Sequence, residues 1–379
     1  MKVYLDYAAT SPLDKRVFTA MKPYLTGIFA NPSSVHFYGR EALSALDNAR
    51  DTVAAAAGVR ALETYFCSGG SEADNWGLKG VARAVRERDG RNKILLSDIE
   101  HPAVLRSAQA LQKEGLDVVF VPVDQRGIVD TAFLEEHAAG SSIVCVMAAN
   151  NETGVLQPVE KIGRIAHENG AYFMCDAVQA AGVLPLHTIT SAADIVAVSA
   201  HKFYGPKGVG ALFCKKGVPL SPLVDGGAQE RGLRGGTSDA AGAVGLAEAL
   251  RLAGAEREET VKKIRALRDG FEREVLSQIP FVTVNGDREN RLPGHSNLCF
   301  AGVDGSVLLR LLDGKGIAVS AGSACAAGDI APSRVLLAMG KSETEAKSSL
   351  RFSFGKGNDE RQRDYVLQTL ITLTKKLRR

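Results

Sequence analysis

The stretch ADIVAVSAHKFYGPKGVGALFCK, Ala193 to Lys215, holds an apolar run, a polar turn and a second apolar run. Its first run, IVAV, shows no polar alternation, as in a strand covered on both faces. Ser199, His201 and Lys202 stand where that run gives way to a Gly/Pro loop. A strand buried on both faces with polar residues at its end predicts a doubly wound α/β sheet, whose ligands bind at the carboxyl ends of the strands.

Working outward, the same unit recurs from about residue 50 to 215. ETYFCS precedes SEADNWGLKGVARAVRERDG, KILLS precedes PAVLRSAQALQKEG, and DVVFVPV, SIVCVMAAN and AYFMCD follow with helical stretches between them. Ala240 to Gln278 has helical periodicity with charged faces and reads as a long connector. Beyond it, FVTVNG, HSNLCFAG, GIAVSAG and SLRFSFG are short strands mixed with helices such as DGSVLLRLLDGKG, which predicts a smaller α+β domain. The expected division is a large domain over residues 15–255 and a small one made of residues 1–14 and 256–379.

With 379 residues, 45% hydrophobic and 23% charged, the composition is that of a soluble globular chain. A net charge of +3 gives no footprint for direct nucleic-acid binding. MKVYLDYAAT lacks the pattern of a secretory leader, and no apolar run approaches the roughly 18 residues of a membrane span. Six cysteines without a C-x-x-C spacing predict neither a disulfide framework nor a metal cage, and a reducing cytoplasm fits them best. Cys67, Cys145, Cys175, Cys214 and Cys299 sit among apolar residues and read as buried strand positions. Cys325 differs: it lies in SAGSACAAGD, where nothing has bulk.

Four constellations bear on chemistry. In CSGGSEADN, a strand runs through Gly69-Gly70-Ser71 into a helix, a junction able to hold an anion on free N–H groups; the plainer reading is a tight turn with Ser71 as N-cap. In FMCDAVQAAG, Asp176 ends an apolar strand and needs a cation, such as a protonated pyridine nitrogen, unless it only caps a following helix. Lys202 at a strand end can form a Schiff base if its pKa is lowered; otherwise it is an exposed loop lysine. GGAQERGLRGGTSD offers glycines, arginines and Thr237, and serves either as an anion-binding loop or as a flexible surface loop.

Together with YLDYAATSPLD, NPSSVHFYGREA, EHPAV, NNETGVLQPV, PSRVLLAMG and SLRFSFG, these motifs resemble one family along essentially the whole chain. It is the cysteine desulfurases of the NifS/IscS type, in the class V aminotransferase group. The resemblance implies PLP fold type I, with a mainly parallel seven-stranded sheet, and a homodimer with sites at the subunit interface. Its implied cofactor is pyridoxal 5′-phosphate on Lys202, with Asp176 at the pyridine nitrogen, Gln179 at the ring hydroxyl and His101 stacked on the ring. Gly70, Ser71, Ser199 and His201 would hold the phosphate, with Thr237 reaching over from the other subunit. Asn151, Arg351 and Asn31 would position L-cysteine. Cys325, in a loop at about residues 320–332, would take the sulfur as a persulfide and pass it to an acceptor protein, an iron–sulfur scaffold or a tRNA thiolation enzyme. Rival readings are a selenocysteine lyase, another class V enzyme, or a non-catalytic sulfur-relay scaffold. The chain departs from the family's SGATEANN at Gly70, Ser71 and Asp74, from its RSGT at Gly235, and at Arg334, where many members carry His or Tyr.

Overall fold

The structure, a computed structural model, describes residues 1–321 and 331–378. Its strands are β1 (Val3–Tyr4), β2 (Thr64–Cys67), β3 (Lys93–Ser97), β4 (Asp117–Val121), β5 (Ser141–Cys145) and β6 (Tyr172–Asp176). They continue with β7 (Ile195–Ser199), β8 (Gly210–Cys214), β9 (Val282–Val284), β10 (His295–Phe300), β11 (Ile317–Ala318) and β12 (Ser349–Ser353).

Seven of these form one sheet in the order β2-β8-β7-β6-β5-β3-β4. Neighbours from β7 to β4 are parallel, and β8 runs against both β2 and β7. The Gly/Pro loop between β7 and β8 is too short for the crossover that a parallel return requires. Strands β5, β7 and β8 are buried at every residue. Successive side chains explain why. Val144, Phe173 and Val196 enter one core with helices Phe37–Ala57, Val159–Glu168 and Ala240–Ala255. Their neighbours Ile143, Met174 and Ile195 enter another with Trp76, Val81 and Val104 of helices Gly70–Asp89 and Pro102–Lys113. The two-residue period of a strand thus feeds both faces of a doubly wound sheet.

A second body forms around the antiparallel sheet β12-β10-β9 and the parallel pair β1-β11. Helices Arg257–Gln278, Gly305–Asp313 and Glu360–Leu377 cover it, with Phe271, Phe300 and Phe352 at its centre.

The expected single connector is two helices, Ala240–Ala255 and Arg257–Gln278, broken at Glu256 (φ −102°, ψ 4°). The first packs into the large sheet's core and the second into the small one, so one straight rod could not serve both. Glu256 is held at the break by Arg16 and by Lys356 Nζ at 2.8 Å. The amino-terminal segment crosses between the two bodies. Leu5 O accepts from Ser353 N at 2.7 Å, and Ser11 N donates to His201 O at 2.9 Å. No helix among the described residues is long and apolar enough to cross a membrane.

Candidate active site

The carboxyl edge of the large sheet, the amino-terminal segment and β12 enclose a cavity of about 740 Å³. Gly70, Ser71, His101, Asn151, Asp176, Gln179, Ser199, His201, Lys202 and Arg351 all line it. Two expected residues stay outside. Thr237 is exposed and lines a separate hollow beside Gly208, and Asn31 is exposed with Oδ1 accepting from Ser33 N.

After β2, Gly69 adopts φ +146°, a conformation that side chains disfavour, and helix Gly70–Asp89 begins at once. Gly69, not Ser71, is therefore the N-cap, which leaves the Ser71 hydroxyl in the first turn facing the cavity. A Cβ on Gly70 would stand 2.8 Å from Val178 Cγ2, so the missing side chain lets the helix start close against the turn after β6. A helix of twenty residues presents unpaired N–H groups and a positive dipole end here. Glu72 braces the turn, accepting from Ser68 N and pairing with Arg234.

Asp176 closes β6, but no helix follows it: a turn does, with Asp176 Oδ1 accepting from Val178 N at 2.8 Å. Burial pushes its carboxyl pKa up, against the pull of that N–H, His101 and Lys202. His101 does cap its helix, Nδ1 accepting from Ala103 N at 3.1 Å, and it also faces the cavity. With Nδ1 an acceptor, the neutral ring carries its proton on Nε2. Burial holds His101 below the usual histidine range.

Lys202 ends the short turn Ala200–Lys202 and is no exposed loop lysine. Its Nζ donates to Ala8 O (2.6 Å) and Ala9 O (3.0 Å). Burial, aided by Arg351, lowers it to about 8. His201 is lowered to about 4, mainly by burial, and its Nδ1 meets Thr10 Oγ1 at 3.1 Å. Gln179 Nε2 donates to Ala8 O at 2.8 Å.

Arg351 lies on β12 with Nη1 on Asn151 O (2.8 Å) and Nη2 on Asp6 Oδ1 (2.7 Å). Sequence reasoning gave no role to Asp6, Thr10 or Lys207, although all three line the cavity. The motif YLDYAAT held the first two, and only the crossing of that segment beneath Lys202 shows what they touch.

Cys325 lies outside the described residues. Before that stretch, Ser320 N donates to Arg351 O at 3.1 Å, which puts Ser320 on the cavity wall. After it, Ser333 Oγ donates to Glu152 Oε2 at 2.5 Å and Arg334 pairs with Asp98. The other five cysteines are buried and free as expected; burial pushes Cys67 and Cys214 up to about 12 and raises the rest.

Over residues 3–366 the chain matches the family described as Aminotransferase class-V. It is 43% identical over 378 residues to the cysteine desulfurase IscS of Dictyoglomus turgidum, spanning 100% of this chain and 95% of that one. The cysteine desulfurase IscS of Methanosarcina thermophila is 43% identical over 377 residues, with 99% and 93% covered. Among solved structures, a NifS-like protein superposes with a TM-score of 0.92 at 37% identity, covering 99% of this chain and 100% of that one. A structure of SspA in complex with cysteine gives 0.82 at 33% identity, covering 93% and 99%.

Proposed function

Because the chain belongs to the class-V aminotransferase family, we infer that it is a cysteine desulfurase that uses pyridoxal 5′-phosphate to convert L-cysteine to L-alanine. The observation that carries this reading is that a burial-lowered lysine, a buried carboxylate, a neutral histidine and a helix start converge on one cavity. The family is pyridoxal-phosphate-dependent, and the residues here fit that group. Asp176, a buried acid on the cavity wall with Val178 N–H as its hydrogen-bond donor, suits a cationic ring nitrogen. The start of helix Gly70–Asp89, with Ser71, Ser199 and His201, suits a phosphate. When bound, the cofactor supplies an electron sink that acidifies the substrate Cα–H and loosens its Cβ–S bond.

The chain's own residues do the rest. Near neutral pH an amine lowered to about 8 is in part unprotonated, so Lys202 can attach the cofactor and then serve as base at the substrate Cα. His101 offers a proton at Nε2 in the same cavity. Gln179, which shares the Ala8 carbonyl with Lys202, lines the cavity for the ring hydroxyl. Arg351, held on the cavity wall by Asn151 O and Asp6, keeps further N–H groups for the substrate carboxylate, with Asn151 beside it. Cys325 takes the sulfur: its thiol and cysteine become a persulfide and alanine, so one sulfur atom changes hands and nothing else is consumed. An acceptor protein of iron–sulfur assembly or tRNA thiolation then receives it.

The same reading holds that the enzyme is a cytoplasmic homodimer of two-domain subunits, divided near residue 255. Two separate cores support the division. Phe18, Leu25, Phe29, Val35, Phe37 and Tyr38 are exposed together on the first two helices and the loop between them, an apolar surface that a second copy would cover. Asn31 lies in that loop, and Thr237 is exposed away from its own cavity, both free to serve the neighbouring subunit's site.

The test is incubation of the purified protein with pyridoxal phosphate and L-cysteine, reading alanine and mapping sulfur by mass spectrometry. Alanine in step with a persulfide on Cys325 is expected. Transamination products without alanine, or no bound cofactor, would overturn the reading.

A further inference from the structure

Asp74 lies one turn into helix Gly70–Asp89, is 1% exposed and lines the cavity, yet its Oδ1 has no hydrogen-bond partner among the described residues. Glu100, just before His101, is 3% exposed; its Oε1 accepts from Ser97 Oγ (2.5 Å) and Met147 N (2.7 Å), and its Oε2 has no partner. Asp176 is the third carboxyl of the group. Three buried acids in mutual electrostatic contact cannot all be charged, because each added negative charge raises the cost of the next.

The surroundings decide which one ionises. Asp176 accepts an N–H and feels His101 and Lys202. Among the described residues no cation acts on Asp74; the groups acting on it are Asp176 at the end of β6, Glu100 after β3, and the buried thiols Cys67, Cys145 and Cys175 of β2, β5 and β6. We propose that Asp74 is a protonated, neutral acid at neutral pH, a positioning residue that leaves Asp176 as the single charged carboxylate of this three-acid cluster. The cluster then holds one negative charge, on the carboxylate that faces Lys202 and His101. Burial and the two neighbouring acids raise Asp74 well above the usual carboxylate range, and Glu100 is pushed to about 8. The proposal deepens the reading of Asp176 as the cofactor's counter-charge and rests on it, but the proton itself is a property of the apoprotein.

The sign of the linkage follows. A native acid whose pKa lies above its unfolded value binds more protons when folded, so stability falls as pH rises between the two values. Asp74→Asn keeps the shape and stays neutral, so it escapes that penalty. Between the unfolded carboxylate value and the native one, the parent's folding constant falls about tenfold per pH unit relative to the variant. Tm differences between apo Asp74→Asn and apo parent should therefore widen as pH rises from about 4.

The direct measurement is carbon NMR of apoprotein labelled at the aspartate carboxyls, which separates Asp74 and Asp176 from Glu100. One protonated aspartic acid is expected at neutral pH, lost in Asp74→Asn and kept in Asp176→Asn. A signal that persists in Asp74→Asn and vanishes in Asp176→Asn would place the proton on Asp176 and overturn the proposal. So would a parent spectrum with every aspartate ionised, a result that needs no variant to fold. Neither outcome depends on cysteine turnover, so a failed desulfurase assay would leave this assignment standing.

Discussion

Arg351 reaches Asp6 Oδ1 with Nη2 at 2.7 Å, while its own Nε is buried without a partner among the described residues. The guanidinium is thus anchored through both of its terminal nitrogens. Asp6 and the Asn151 carbonyl fix its plane on the wall of a cavity that Lys202 also lines. Arg351→Lys keeps the charge but cannot hold both anchors and a substrate carboxylate at once. Loss of a charge-assisted hydrogen bond is worth about 1.5–3 kcal/mol, so kcat/KM for cysteine should fall roughly ten- to hundredfold, mostly through KM. Alanine formation against cysteine concentration checks this; an unchanged KM would remove Arg351 from the carboxylate site.

The lowered Lys202 predicts a pH dependence. Only the unprotonated amine attacks the cofactor's aldehyde, so attachment to the apoprotein should quicken as pH rises through about 8 and then level off. The rise of visible absorbance after mixing gives the rate. Lys202→Ala should show neither the absorbance nor turnover. A midpoint near that of a free lysine would mean that Lys202 is solvated in the working protein.

Cys325→Ser should separate two functions. Cofactor attachment rests on Lys202 and the cavity wall, so its absorbance should be retained. Sulfur capture needs the thiol, so no persulfide should form on incubation with cysteine. The five other cysteines are buried thiols pushed above their usual range, poor substitutes as nucleophiles. A persulfide mapped to any of them in the parent would redirect the assignment.

What the sequence made legible follows from burial. Strands β5, β7 and β8 lack polar alternation because helices cover both faces, and each therefore stands out as an apolar run. The polar residues at their ends stand out for the same reason, as charges where apolar runs stop. Strand β1 is two residues long and carries no pattern of its own; its partner β11 lies over three hundred residues away. The helix break at Glu256 follows Gly254 by two residues and opens a run of charges that continues the helical pattern, so its place is set by two cores pulling in different directions. Asp6 and Thr10 gain their meaning only when their segment passes beneath Lys202. Asp74 was visible as a departure from SGATEANN, but its missing partner is a property of the folded interior.

The pair Glu272–Arg291 shows how the smaller body is tied to the larger. Glu272 lies on helix Arg257–Gln278 and Arg291 on the approach to β10; both side chains are under 5% exposed and meet in a two-pronged contact at 2.6 and 2.5 Å. Arg291 also bridges to Val155, in the segment that follows β5 and leads away from Asn151. Removing one partner leaves a buried charge unpaired, so Glu272→Ala should cost about 3–5 kcal/mol in denaturant unfolding. Replacing both with apolar residues of similar volume, as Arg291→Met with Glu272→Leu, removes the unpaired charge along with the pair and should recover most of that loss. The double variant should also keep the Lys202 absorbance, since neither residue lines the cavity. Equal losses in the single and double variants would mean that packing at this junction, not the ion pair, holds the two bodies together.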